Sequence, residues 1–138
     1  MKGLLSLLYV SNAQSNLSDT DIQAILEVSR SNNLKEDITG VLCSGGGHFI
    51  QVLEGPQKNV LGRYLQILED ERHTDCLLIG VAPLKARNFN DWSMGYIHAS
   101  ETVILERKKL LVSYLESQFK GTELVNQMRR LLQLITKE

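Results

Sequence analysis

Apolar and polar residues alternate from Leu4 onward, with Leu5, Leu7 and Tyr9 falling on one face, so the pattern predicts a first strand over Leu4–Val10. Ser18-Asp19-Thr20-Asp21 has the form of a helix N-cap followed by acidic residues, which favour the positive end of a helix. Ile22, Ile25, Leu26 and Ser29 then recur at helical spacing, predicting a helix from about Asp19 to Asn32. Ile38–Cys43 and His48–Glu54 read as strands two and three, joined as a hairpin through Gly45-Gly46-Gly47. Gly55-Pro56 ends the third strand and opens a second helix, whose apolar face carries Val60, Leu61, Tyr64, Ile67 and Leu68. The polar stretch Asp70–Thr74 leads into Cys76–Ala82, a strand so apolar that it predicts cover on both faces. Pro83 to Asn90 reads as a loop and Asp91–His98 as strand five, with Trp92 and Met94 on one face by alternation.

The order βαββαββ suits an α+β two-layer sandwich, with helices on one face of a mixed sheet. Two amphipathic helices follow, over Glu101–Phe119 and Thr122–Thr136, parted by the stop signal Lys120-Gly121. Their apolar residues, Leu110, Leu111, Tyr114, Leu115, Leu124, Val125, Met128, Leu132 and Ile135, are expected to cover the second sheet face or form an oligomer surface. The expected division is therefore 1–98 for the sandwich and 99–138 for a helical extension.

Composition narrows the partners. The 138 residues fit one domain, with 43% hydrophobic and 22% charged residues and a net charge of -1. That balance gives no electrostatic reason to expect nucleic acid or an anionic membrane. No apolar run approaches the roughly 20 residues of a membrane span, and the apolar start after Met1-Lys2-Gly3 alternates as a strand does, with no cleavage site of small residues. Cys43 and Cys76 form no C-x-x-C, so reduced thiols in a cytoplasmic protein are the simplest expectation. His48, His73 and His98 lack metal-ligand spacing, so no metal is expected.

Gln51 is the most informative residue. It shares a strand face with Phe49 and Leu53, and a buried carboxamide without partners costs about 1–3 kcal/mol per missing bond. Tyr9 poses the same problem on the first strand. Asn32-Asn33 near the end of helix one is ordinarily a cap, but two carboxamides also suit a ligand's donor and acceptor edge. Ile25 and Ile67 project from the two helices over one sheet face. A planar heteroaromatic ligand between the helices would satisfy these groups together.

With Leu8-Tyr9-Val10-Ser11, Ser29–Asn33, Ile38-Thr39-Gly40, Phe49–Gly55, Asp70–His73 and Trp92-Ser93-Met94 in this order, the chain resembles the BLUF family of blue-light sensors over residues 3–98. The resemblance implies a ferredoxin-like fold and an oxidised flavin, FAD or alternatively FMN, held between the two helices. It implies that Asn33, with Asn32 nearby, meets the pyrimidine edge, that Ile25 and Ile67 flank the ring, and that Gln51 bridges the flavin and Tyr9. His73 would lie near the ring and Arg30 near the flavin's polar side or tail; the chain departs from the family at Gln66, where relatives often carry a basic residue, and Arg63, one turn earlier, could substitute in a phosphate or ribityl contact. Light would drive electron and proton transfer from Tyr9, rearrange Gln51, and pass a change through Trp92 and Met94 to the C-terminal helices. The implied protein is a non-enzymatic photoreceptor, a homo-oligomer, acting on a downstream signalling protein. Two rivals use the same scaffold: an acylphosphatase-like hydrolase, which needs an Arg and Asn at an anion-binding loop, and a small-molecule regulatory module.

Overall fold

The computed structural model describes residues 3–120 and 122–136, with the side chains of 119–120 and 122–125 excepted. Met1-Lys2, Gly121 of the Lys120-Gly121 stop signal, and the side chains of Leu124 and Val125 lie outside the described residues. The elements are β1 (Leu4–Ala13), α1 (Asp19–Lys35), β2 (Thr39–Gly45), β3 (His48–Pro56), α2 (Gln57–Leu68), β4 (His73–Leu84), β5 (Gly95–His98), α3 (Glu101–Lys120) and α4 (Thr122–Thr136). The five strands form one sheet in the order β4-β1-β3-β2-β5, antiparallel except for the parallel pair β2 and β5. This is the expected α+β arrangement.

Local chemistry explains the element ends. Ser18 and Asp21 form a complete capping box, each side chain bonding the other's backbone N–H, so α1 starts where its first free N–H groups find acceptors. Gly46 and Gly47 take φ of 55° and 84°, which supplies the two positive angles a two-residue hairpin turn requires. Helix α1 runs three residues past the expected end, so Asn32 and Asn33 lie within its last turn rather than closing it.

Alternation sorts the core into two layers. Leu5, Leu7, Tyr9, Phe49 and Leu53 face α1 and α2, packing with Leu26, Val60 and Tyr64. Leu7 and Leu53 are almost wholly buried, each contributing about 1.5–3 kcal/mol by burial. Val10, Ile50 and Ile79 face the other way, under Ile104, Leu111, Val112 and Leu115 of α3. Helix α3 thus packs on the second sheet face, whereas Met128, Leu131, Leu132, Leu134 and Ile135 of α4 remain exposed.

Two expectations are corrected. Strand β4 is an edge strand, not one covered on both faces: Leu77, Leu78 and Val81 are exposed, and only Ile79 is buried. Its apolar run reflects β-propensity as much as burial. Strand five begins at Gly95, because residues 91–94 form turns and bends that break the alternation. Trp92 and Met94 therefore do not share a strand face.

Candidate functional site

Register places the central pair. Tyr9 of β1 lies directly opposite Gln51 of β3, and Leu42 of β2 lies opposite Gln51 on its other side. Facing side chains of cross-strand neighbours meet, so the Tyr9 hydroxyl donates to Gln51 Oε1 in the buried core. Gln51 Nε2 donates onward to Met94 Sδ at 3.4 Å. The amide that posed a burial problem is thus satisfied at both ends, strongly by a phenol and weakly by a thioether. Burial pushes the Tyr9 phenol well above the ordinary tyrosine range, since its phenolate would have little solvation.

Above this pair, between α1 and α2, lies a cleft lined by Tyr9, Ile25, Ser29, Leu42, Phe49, Gln51, Ile67, Asp70, Arg72 and His73. Ile25 and Ile67 come one from each helix, Leu42 and Phe49 form part of the sheet wall, and the polar groups lie at the floor and mouth. His73 is held tightly in tautomer and orientation. Its Nε2 lies 2.7 Å from the Ile67 carbonyl, which can only accept, so Nε2 carries the proton. Its Nδ1 then accepts from Ser11 Oγ at 2.9 Å. Tyr64 of α2 completes the surroundings of Tyr9, with ring centroids 5.4 Å apart.

The remaining expected residues gather on the segment before β5 rather than lining the cleft. Gly40 N–H donates to the Trp92 carbonyl at 2.9 Å, Asn33 Nδ2 to the Ser93 carbonyl at 2.7 Å, and Arg30 Nε to the Met94 carbonyl at 2.9 Å. Three successive carbonyls are therefore fixed by β2 and α1. Asn33 is fully buried and Asn32, its neighbour, is half-buried. Trp92 is 43% exposed and packs on Phe89, while Met94 is buried at 3% against Gln51. Neither side chain lines the cleft, but Met94 reaches Gln51 on its floor whereas Trp92 does not. Arg63 is committed to Glu36 and to Gln66 Oε1, tying the end of α1 to α2. With Arg30 and Asn33 both bonded to backbone carbonyls, the Arg-and-Asn anion loop of the hydrolase alternative is not assembled.

Glu54 and Arg87 escaped the sequence reading. The fully buried Glu54 carboxylate accepts from Asn88 N–H at 2.9 Å, Phe89 N–H at 2.8 Å and Asn88 Nδ2 at 3.0 Å. Arg87 reaches Thr39 Oγ1 at 3.0 Å and the Asp37 carbonyl at 2.8 Å. Together they clamp the β4–β5 connection that carries Trp92 and Met94. A charged residue inside the apolar run ending β3 was the available clue to Glu54.

The residues present fit an oxidised isoalloxazine ring. The Ile25 and Ile67 flanks suit its flat apolar faces, and the buried Gln51 amide and Tyr9 phenol form an oriented polar floor. Among the described residues no group of His, Cys, Asp and Glu could hold a metal ion. No described helix is long and apolar enough to cross a membrane.

Residues 4–95 match the family described as BLUF, sensors of blue-light using FAD. The photoactivated adenylate cyclase subunit beta of Euglena gracilis is 38% identical over 92 residues, 66% of this chain and 11% of that protein. The blue light- and temperature-regulated antirepressor BluF of Escherichia coli (strain K12) is 34% identical over 93 residues, 66% of this chain and 23% of that protein. The chain spans only a small part of these curated relatives. The dark-state structure of BlrB, a BLUF protein, superposes with a TM-score of 0.69 at 32% identity, covering 96% of each chain. A bacterial light-regulated adenylyl cyclase gives 0.69 at 34% identity, covering 94% of this chain and 36% of that one.

Proposed function

The chain belongs to the BLUF family of blue-light sensors, and on that premise we propose that it is a photoreceptor in which Tyr9 and Gln51 read out light absorbed by a non-covalently bound FAD. The supporting observation is the buried chain of hydrogen bonds from Tyr9 through Gln51 to Met94 on the floor of the cleft. Ile25 and Ile67 would flank the ring and His73 would border its mouth, while Asn33, Asn32 and Arg30, at the side of the site that carries residues 92–94, would serve its pyrimidine edge and polar side. Bound flavin supplies a chromophore that becomes a strong oxidant in its excited state.

Tyr9 would give one electron and one proton to the photo-excited flavin, the oxidant, and take both back on recombination, so that only the Gln51 hydrogen bonding is left changed and no net oxidation remains. Its buried phenol stays protonated in the resting state, so the proton is in place when light arrives. It leaves along the existing bond to Gln51 Oε1. The Gln51 amide then rotates or tautomerises. Little opposes this on its other side, because the Met94 thioether is a weak acceptor. Loss of that contact frees Met94, whose carbonyl is held by Arg30 and whose successor opens β5. β5 leads through Ala99, whose N–H bonds the Ser44 carbonyl, directly into α3. The change is a small hydrogen-bond switch biasing a two-state element.

The output passes by contact to a downstream signalling protein or a second copy of the chain. The exposed apolar side of α4, with Met128, Leu131, Leu132 and Ile135 at helical spacing, is the surface offered for it. The described part catalyses no net turnover, and free Cys43 and Cys76 suit a reducing cytoplasm. Tyr9→Phe in the flavin-loaded protein is expected to retain flavin and lose the light-induced red shift. A normal shift in that variant would overturn the mechanism.

A further inference from the structure

Trp92 is the single tryptophan of the chain, and its ring occupies a definite seat outside the cleft. It packs on Phe89 with centroids 5.7 Å apart and planes inclined by 30°. Beneath it lies Gly95. A Cβ at that position would stand 2.8 Å from Trp92 Cδ2 and 2.9 Å from Cζ3, and would collide outright with Cε3. Gly95 has no positive φ, so alanine is acceptable to the backbone. The space for the indole is what any other residue would remove. The backbone fixes the same arrangement, since Trp92 N–H donates to the Phe89 carbonyl at 3.1 Å and its own carbonyl accepts from Gly40.

We infer that Gly95 is a positioning residue: by lacking a side chain it seats the Trp92 indole against Phe89, outside the cleft, and so leaves Met94 to meet the Gln51 amide. The indole and the thioether lie two residues apart on one short segment, the first against Phe89 and the second against Gln51. An indole N–H is a donor only, whereas a thioether sulfur is a weak acceptor. The Gln51 Nε2 donor therefore finds a partner in Met94 that Trp92 would not supply. The seat itself requires no flavin; its bearing on Gln51 rests on the photoreceptor reading above.

The test uses the protein as purified and again after flavin is removed, with Gly95→Ala, Phe89→Leu and Trp92→Leu variants. Because Trp92 is the sole indole, acrylamide quenching of its emission reports the seat directly. Gly95→Ala and Phe89→Leu are each expected to lose the native quenching behaviour, the slope moving toward that of a free indole as the ring lifts off. Unchanged quenching in both variants overturns the seat, whether or not flavin is bound. The second readout is the dark-recovery time after blue light. Gly95→Ala is expected to change it, and to leave it unchanged when Trp92 is already Leu, because nothing then remains to be displaced. An equal change in both backgrounds would show that Gly95 acts without Trp92, and overturns the positioning role. A protein that holds no flavin but whose quenching responds to Gly95→Ala keeps the seat and discards the photoreceptor reading.

Discussion

Removing the Tyr9 hydroxyl strands the Gln51 carbonyl inside the protein. Tyr9 is 3% exposed and Gln51 7%, so water does not readily replace the lost donor. Tyr9→Phe keeps the ring, so no sizeable cavity opens and the expected loss is that of an unpaired buried acceptor, about 1–3 kcal/mol. Gln51→Leu leaves the phenol without its acceptor and is expected to cost about the same. The double variant replaces both partners by apolar groups, which is close to neutral in polar terms. Its loss should therefore fall short of the sum of the single losses by roughly 2–6 kcal/mol. Urea unfolding of the flavin-free proteins measures this cycle, since a ligand bound only to the native state adds its own stabilisation. Additive losses, or single losses under about 0.5 kcal/mol, would refute a buried Tyr9–Gln51 bond.

Further outcomes follow from the same geometry. Glu54→Ala deprives the Asn88 and Phe89 N–H groups of their acceptor; a loss of about 2–4 kcal/mol and fast hydrogen exchange at Phe89 are expected, and a protected Phe89 amide would contradict the clamp. Asn33→Ala releases the Ser93 carbonyl and is expected to raise the flavin dissociation constant at least about tenfold, equivalent to one good hydrogen bond, read by equilibrium dialysis. Burial raises the phenols of both Tyr9 and Tyr64. Their contribution to stability is complete below the unfolded tyrosine value of about 10 and declines as pH rises beyond it, because the unfolded chain ionises first. Ultraviolet titration of the native protein should therefore show Tyr9 and Tyr64 ionising only above the unfolded tyrosine value of about 10.

Most of the fold could be read from the chain because its strands obey period two and its first helix carries its own cap. Tyr9 and Gln51 stood out because polar groups on apolar strand faces demand partners, and the register indeed sets them opposite each other. The fate of Trp92 was not readable. Alternation assumes an extended chain, whereas three carbonyl contacts from Gly40, Asn33 and Arg30 hold residues 92–94 out of the strand. Those contacts span some 50 to 65 positions of sequence, beyond any local pattern. The exposure of β4 was hidden for a related reason: Leu77, Leu78 and Val81 suit an edge strand and a central one equally, and only sheet order distinguishes them.

The most direct test is the absorption spectrum of the purified protein, reconstituted with FAD if needed, recorded in darkness and immediately after blue light. A flavin spectrum that shifts modestly to the red and recovers in the dark is the predicted result. Bound flavin with an unshifted spectrum, or failure to bind flavin at all, would contradict the assignment of Tyr9 and Gln51 as a light-driven switch.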